Sequence, residues 1–126
     1  MTKKAPEESR DPHRFLPLTP AIFHIMLALA HGERHGYGIM LDVERLTNGR
    51  LNLGPGTLYR SIQRMLLDEL IEETKDARGS EEDGERRRYY RLTRLGLDVA
   101  REEAKRLETL VKTARERDLL AKLQKS

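Results

Sequence analysis

Apolar residues along this chain recur at helical intervals in several stretches and alternate in one, which predicts helices with a small sheet. The first helix opens at Thr19-Pro20, with threonine as N-cap and proline in the first turn, where its missing amide costs nothing. Ile22, Phe23, Ile25, Met26, Leu27 and Leu29 make it largely buried, and Gly32, after His31, ends it. A second helix over 37–47 sets Ile39, Met40, Val43 and Leu46 inward and Asp42, Glu44 and Arg45 outward, until Asn48-Gly49 stops it. Leu51-Asn52-Leu53 is an extended link. A third helix begins at Gly54-Pro55-Gly56, runs to about Asp68, and buries a stripe of Leu58, Ile62, Met65 and Leu66. Residues 71–74 and 87–92 predict strands. The later one alternates, with Arg88, Tyr90 and Leu92 on one face and Arg87, Tyr89 and Arg91 on the other. Between them 75–86, holding Gly79, Ser80 and Gly84, is a hairpin loop too long for a tight turn.

The last stretch, 93–125, carries Leu97, Ala100, Ala104, Leu107, Val111, Ala114, Asp118 and Ala121 at alternating spacings of three and four. Leu110, Leu119, Leu120 and Leu123 widen this apolar seam. Some 30 helical residues would reach roughly 45 Å, farther than the rest of the chain can cover. A second copy is therefore expected on Leu97, Ala100, Ala104, Leu107, Val111 and Ala114, with the charge of Asp118 weakening the seam near its end. Met1 to Asp11 is polar, broken by Pro6, and expected to be disordered in isolation, while Phe15-Leu16-Pro17-Leu18 pins the arm to the body. The chain thus divides into an arm (1–18), a body (19–93) and a long helix (94–126).

Composition narrows the chemistry. Hydrophobic residues at 37%, aromatics at 5% and charged residues at 36% allow a small core without a deep enzyme cavity. A net charge of +3 and a pI near 9.3 permit a polyanionic partner without requiring one. The absence of cysteine excludes disulfides and thiolate metal sites and fits a reducing cytoplasm. No apolar run predicts a signal peptide or membrane span. His31 and His35 are four apart, but Gly32 and Gly36 interrupt any helix through both, so no metal is expected. Glu72 and Glu73 point to opposite faces of a strand and make no acid–base pair. Neither a phosphate-binding glycine loop nor a nucleophile with its base is present, so no enzyme and no cofactor are expected.

The outer face of the third helix is the candidate functional surface. Thr57, Arg60, Gln63 and Arg64 lie there with Tyr59 on the border, and no acid intervenes before Asp68. Arginine pairs with guanine edges, glutamine with adenine, and hydroxyls with phosphate, so this face suits the major groove of double-stranded DNA. Arg60 and Gln63 are expected to read bases, and Thr57, Tyr59 and Arg64 to position the backbone. Tyr37 and Pro55 complete the helix-borne set. The tip Glu81-Glu82-Asp83-Gly84-Glu85 would repel phosphate, which leaves Lys75, Arg86 and Arg87 at the hairpin base as non-specific contacts. A protein–protein interaction module of the same fold without DNA binding is the alternative.

Three helices, a strand, a loop, a strand and a long helix make a mostly α (α+β) fold, the order of a winged helix-turn-helix with a C-terminal dimerisation helix. Four blocks in register, His35-Gly36-Tyr37-Gly38-Ile39, Leu53-Gly54-Pro55-Gly56-Thr57-Leu58-Tyr59-Arg60, Leu70-Ile71-Glu72 and Arg88-Tyr89-Tyr90-Arg91-Leu92-Thr93, resemble the PadR-like transcriptional regulators. Gly36 and Gly38 are expected to supply backbone angles for a sharp turn into the helix, and Gly54 and Gly56 a tight helix start near a phosphate. The resemblance implies a homodimer through the last helix, in the shorter of the family's size classes. It also implies repression at an inverted-repeat operator and release by a small-molecule effector, with constitutive control left open. The effector is expected at the dimer interface near Phe15, Phe23 and the inner face of Leu97 to Leu107. With no tryptophan in the chain, stacking of flat drugs between indoles is not carried over.

Overall fold

The computed structural model describes residues 10–74 and 88–122. Lys75, Arg86, Arg87, the acidic hairpin tip, Leu123 and the first nine residues lie outside the described residues. After a short 3-10 turn at Pro12–Phe15 come α1 (Pro20–Leu29), β1 (Arg34–His35), α2 (Gly36–Leu46), α3 (Pro55–Leu67), β2 (Ile71–Thr74), β3 (Tyr89–Leu92) and α4 (Arg94–Glu116). The sheet is antiparallel in the order β1-β3-β2, with Arg34 opposite Tyr90 and Ile71 opposite Leu92.

The Thr19 cap read from sequence is present, and Thr93 caps the last helix in the same way. Thr19 Oγ1 accepts from the Ile22 amide at 3.2 Å, and Thr93 Oγ1 accepts from the Gly96 amide at 3.0 Å. Three helix ends share one device. Leu70, Gly49 and Leu119 donate their amides to carbonyls five residues back, after Glu69, Asn48 and Asp118 turn into the left-handed region at φ 60°, 53° and 64°.

Several expectations are corrected. The pair of residues forming β1 is too short to leave a periodic signature, and tertiary pairing with β3 creates it. Asp42, read as outward, is buried: it shares the stripe of Ile39 and Val43, and its carboxylate accepts from Arg45 Nη2 at 2.7 Å. Leu46, read as inward, is exposed at the last position of α2. Leu27 is likewise exposed. The long helix stops at Glu116, and Asp118 and Ala121 leave the seam. The seam's one charge is the residue that adopts the left-handed turn, which aspartate tolerates better than most side chains. At 23 residues α4 spans roughly 35 Å.

The core is built on Ile25, Met26 and Leu29 of α1, against Ile39 and Val43 of α2, Leu58, Ile62 and Met65 of α3, Tyr90 of β3 and Val99 of α4. Phe15, Leu16 and Leu18 of the arm pack against it. Glu103 of α4, only 1% exposed, accepts the Leu18 amide at 2.8 Å and pairs with Arg106 at 2.5 Å. These bonds fasten the arm to α4, since a buried carboxylate without partners would be costly.

The candidate nucleic-acid interface

α3 begins at Gly54, which offers no side-chain cap, followed by Pro55. Its first amides have no partners within the helix, so its N-terminus presents donors and a partial positive charge suited to an anion. Burial of Leu58, Ile62 and Met65 turns Thr57, Tyr59, Arg60, Gln63 and Arg64 outward, and all five are exposed. The Arg60 guanidinium lies over the first turn, 3.6 Å from where a side chain on Gly56 would start. Among the described residues neither Arg60 nor Gln63 has an acidic partner. Arg64 does: its Nε donates to Asp68 at 3.0 Å, one turn on. That exposed pair is weak, and Arg64 is set apart from Arg60 by it.

Tyr37, 60% exposed in the first turn of α2, stands beside this face. A Cβ on Gly36 would meet the Tyr59 hydroxyl at 2.5 Å, so the α2 start and the outer border of α3 touch there. Gly36 and Gly38 do not occupy positive φ, contrary to the expectation for them. Gly36 is required for space, and a Cβ on Gly38 would lie 3.4 Å from the His35 ring.

His35 has a structural role in holding this region together. Its Nδ1 caps α2 by accepting the Gly38 amide at 3.0 Å. Its ring lies parallel to Tyr37, with centroids 6.4 Å apart, and edge-on to Tyr89 of β3 at 5.3 Å. Thus His35 links the helix that carries Tyr37 to the hairpin. Its position just before Gly36-Tyr37-Gly38 was the available signal, but histidine is an uncommon cap. On the hairpin, Arg91 donates to Glu72 at 2.8 Å and Arg88 lies 3.8 Å from Glu73. Both glutamates are thereby occupied in cross-strand pairing. Thr74 donates to Glu33 at 2.7 Å, closing the sheet toward β1. Burial pushes the Tyr90 phenol above its ordinary range, with Glu73 adding to the effect.

Along α4 the seam residues fall into two groups. Leu97 and Ala100 are half-buried by the chain's own body, and Ala100 packs on the core. Leu107 and Ala114 are half-buried, while Ala104, Leu110 and Val111 are exposed. No cluster of metal-ligating side chains occurs among the described residues, and no described helix is long and apolar enough to cross a membrane.

Among the described residues, three helices and a three-stranded antiparallel sheet, followed by a fourth helix, define a winged-helix fold. The chain belongs to the transcriptional regulator PadR-like family, whose model matches residues 25–102. This is a family of transcription regulators and not of enzymes. An uncharacterised protein of Lysinibacillus sphaericus is 35% identical over 72 residues, 57% of this chain. The chain covers 63% of that relative's length, less than two thirds of it. A PadR family transcription regulator from Clostridium difficile is 26% identical, with a TM-score of 0.63 over 81% of this chain and 100% of that one. A transcriptional regulator from Clostridium thermocellum, 20% identical, shares the fold with a TM-score of 0.64 over 90% of this chain and 97% of that one.

Proposed function

We propose that this chain is a homodimeric, sequence-specific DNA-binding repressor that acts in the cytoplasm on an inverted-repeat operator. The observation carrying this reading is the outer face of α3, where Arg60 and Gln63 project with no acidic partner among the described residues, beside the exposed rings of Tyr59 and Tyr37. Arg60 and Gln63 contact base edges, while Thr57, Tyr59 and the amides after Pro55 hold phosphates. Arg64, paired with Asp68, serves as a secondary backbone contact. Lys75, Arg86 and Arg87 add non-specific contacts at the hairpin base. In this reading residues 19–93 bind DNA and 94–126 dimerise.

The exposed Leu110 and Val111, with the half-buried Leu107, meet their counterparts in a second copy. Two half-sites held by one dimer bind far more tightly than either alone, because the tether sets a high effective concentration. A small molecule that favours the non-binding spacing of the two reading helices then releases DNA.

Binding to random duplex DNA across a salt series tests the reading. Phosphate contacts predict a steep linear fall of log affinity with log salt. Absence of duplex binding at low salt would instead support a protein-interaction module. Light scattering on a Leu107→Asp, Val111→Asp variant is expected to give monomer or unfolded chain, and an unchanged dimer mass would refute the assignment of α4.

A further inference from the structure

An open cleft of about 670 Å³ lies where the arm, the end of α3 and the start of α4 meet. Its size is in the range of small-molecule sites. Four arginines face it: Arg10 and Arg14 from the arm, Arg64 from α3 and Arg94 from α4. Two of these are already engaged, Arg64 with Asp68 at 3.0 Å and Arg94 with Asp98 at 3.5 Å. Arg10 and Arg14 have no carboxylate within 4.0 Å among the described residues. Phe15 and Leu67, the latter 75% exposed, supply an apolar wall.

We infer that this cleft binds a small organic phosphate monoester and that its occupancy regulates DNA binding. Two uncommitted guanidinium forks match a group that carries about −1.5 to −2 charge and three acceptor oxygens, better than they match a singly charged carboxylate. The apolar wall takes the organic part. Asp68 and Asp98 offset Arg64 and Arg94, and Glu69 also lines the cleft, so the attraction for an anion comes from Arg10 and Arg14.

The site spans a joint. Thr93 donates its amide to the Leu70 carbonyl at 3.0 Å and its hydroxyl to the Glu69 carbonyl at 2.6 Å, fixing the end of α3 to the start of α4. A ligand held by the arm and by Arg64 acts on this joint, and so on the placement of α3 relative to α4. The regulatory half of the inference rests on the DNA-binding reading above, whereas the binding half does not.

Titration calorimetry of the full chain with phenyl phosphate, in the absence of DNA, tests the site. One molecule per chain is expected. Benzoate, with the same ring and one charge, should bind at least about tenfold more weakly. Arg14→Gln should weaken phenyl phosphate about tenfold, the equivalent of one charge-assisted hydrogen bond. An Arg10→Gln, Arg14→Gln double variant should abolish binding, and Arg101→Gln, outside the cleft, should not change it. No binding at millimolar phenyl phosphate, equal binding of benzoate, or full binding by the double variant would each overturn the assignment. Loss of duplex affinity in the double variant, with no phenyl phosphate binding by the parent chain, would give the arginines to nucleic acid instead. Saturating phenyl phosphate should also shift duplex affinity severalfold, and an unchanged affinity would overturn the regulatory half.

Discussion

Replacing Gly96 with alanine probes the joint between α4 and the body. Gly96 is buried in the first turn of α4, and a Cβ built there would overlap the carbonyl oxygen of Leu70 and lie 2.9 Å from its carbon. These are backbone atoms, so no side-chain rotation relieves the collision. That same carbonyl accepts the Thr93 amide at 3.0 Å, so moving it also disturbs the bond that starts α4. Overpacking of a tight site costs typically 1–3 kcal/mol, and a rigid backbone obstacle belongs at or slightly above the upper end, about 3–4 kcal/mol. Alanine in a helix recovers about 1 kcal/mol over glycine. The expected net loss is about 2–3 kcal/mol, or a fall in Tm of roughly 8–15 °C. Thermal unfolding followed by circular dichroism at fixed protein concentration measures it, because association makes Tm concentration-dependent. If Gly96→Ala were as stable as the parent chain, α4 would not approach Leu70 as closely as the structure places it.

Gly36→Ala should displace the Tyr59 ring and lower duplex affinity, and Tyr59→Phe in the same chain should partly restore stability by removing the atom 2.5 Å from the new methyl; additive effects in the unfolding cycle would refute the contact. Glu103→Ala should cost about 1–3 kcal/mol in urea unfolding, since the Leu18 amide loses its acceptor. The Arg106 guanidinium, with help from the Leu18 amide, holds the Glu103 carboxyl below its ordinary 4.5, so this contribution is present above that pH and lost as pH falls through the folded value. His13 is raised above 6.5, first by its hydrogen bond to Asp11 and further by Glu102, so its contribution is full below 6.5 and disappears as pH rises through the folded value. The His13 ring lies 3.1 Å from both Asp11 and Glu102, whose carboxyls are held low, so these pairs close between the carboxylate and imidazole ranges. Ring-proton titration of His13 should give a midpoint above 6.5 that drops in Glu102→Gln, and a midpoint indifferent to that change would contradict the contact.

Local pattern carried the helices, the hairpin strands and most of the core, because each stripe repeats over several turns. The parts that escaped it depend on partners distant in the chain. The β1 strand exists through Tyr89 and Tyr90, more than fifty residues after it. Asp42 sits on the buried stripe by spacing, and only its charge argued for the outside. The cleft between the arm and the α3–α4 joint comes from tertiary packing that no single segment displays. Other signals were local but ambiguous. Arg64 and Asp68 were at ion-pair spacing on one helix, and Asp118 signalled both a weakened seam and a helix end. Gly36 was legible as a required glycine for the wrong reason, since torsion and space leave the same mark on a sequence.

The most direct test of the account is selection of binding sites from a random duplex pool by the parent chain and by Arg60→Ala. The parent should enrich an inverted repeat whose half-sites lie about 10–10.5 base pairs apart, or a multiple of that spacing. Arg60→Ala should lose preference at one base pair in each half-site and bind the selected sequence about 1–3 kcal/mol more weakly. Enrichment of no sequence by the parent, or the same preference in both proteins, would contradict the assignment of the α3 outer face as the DNA reader.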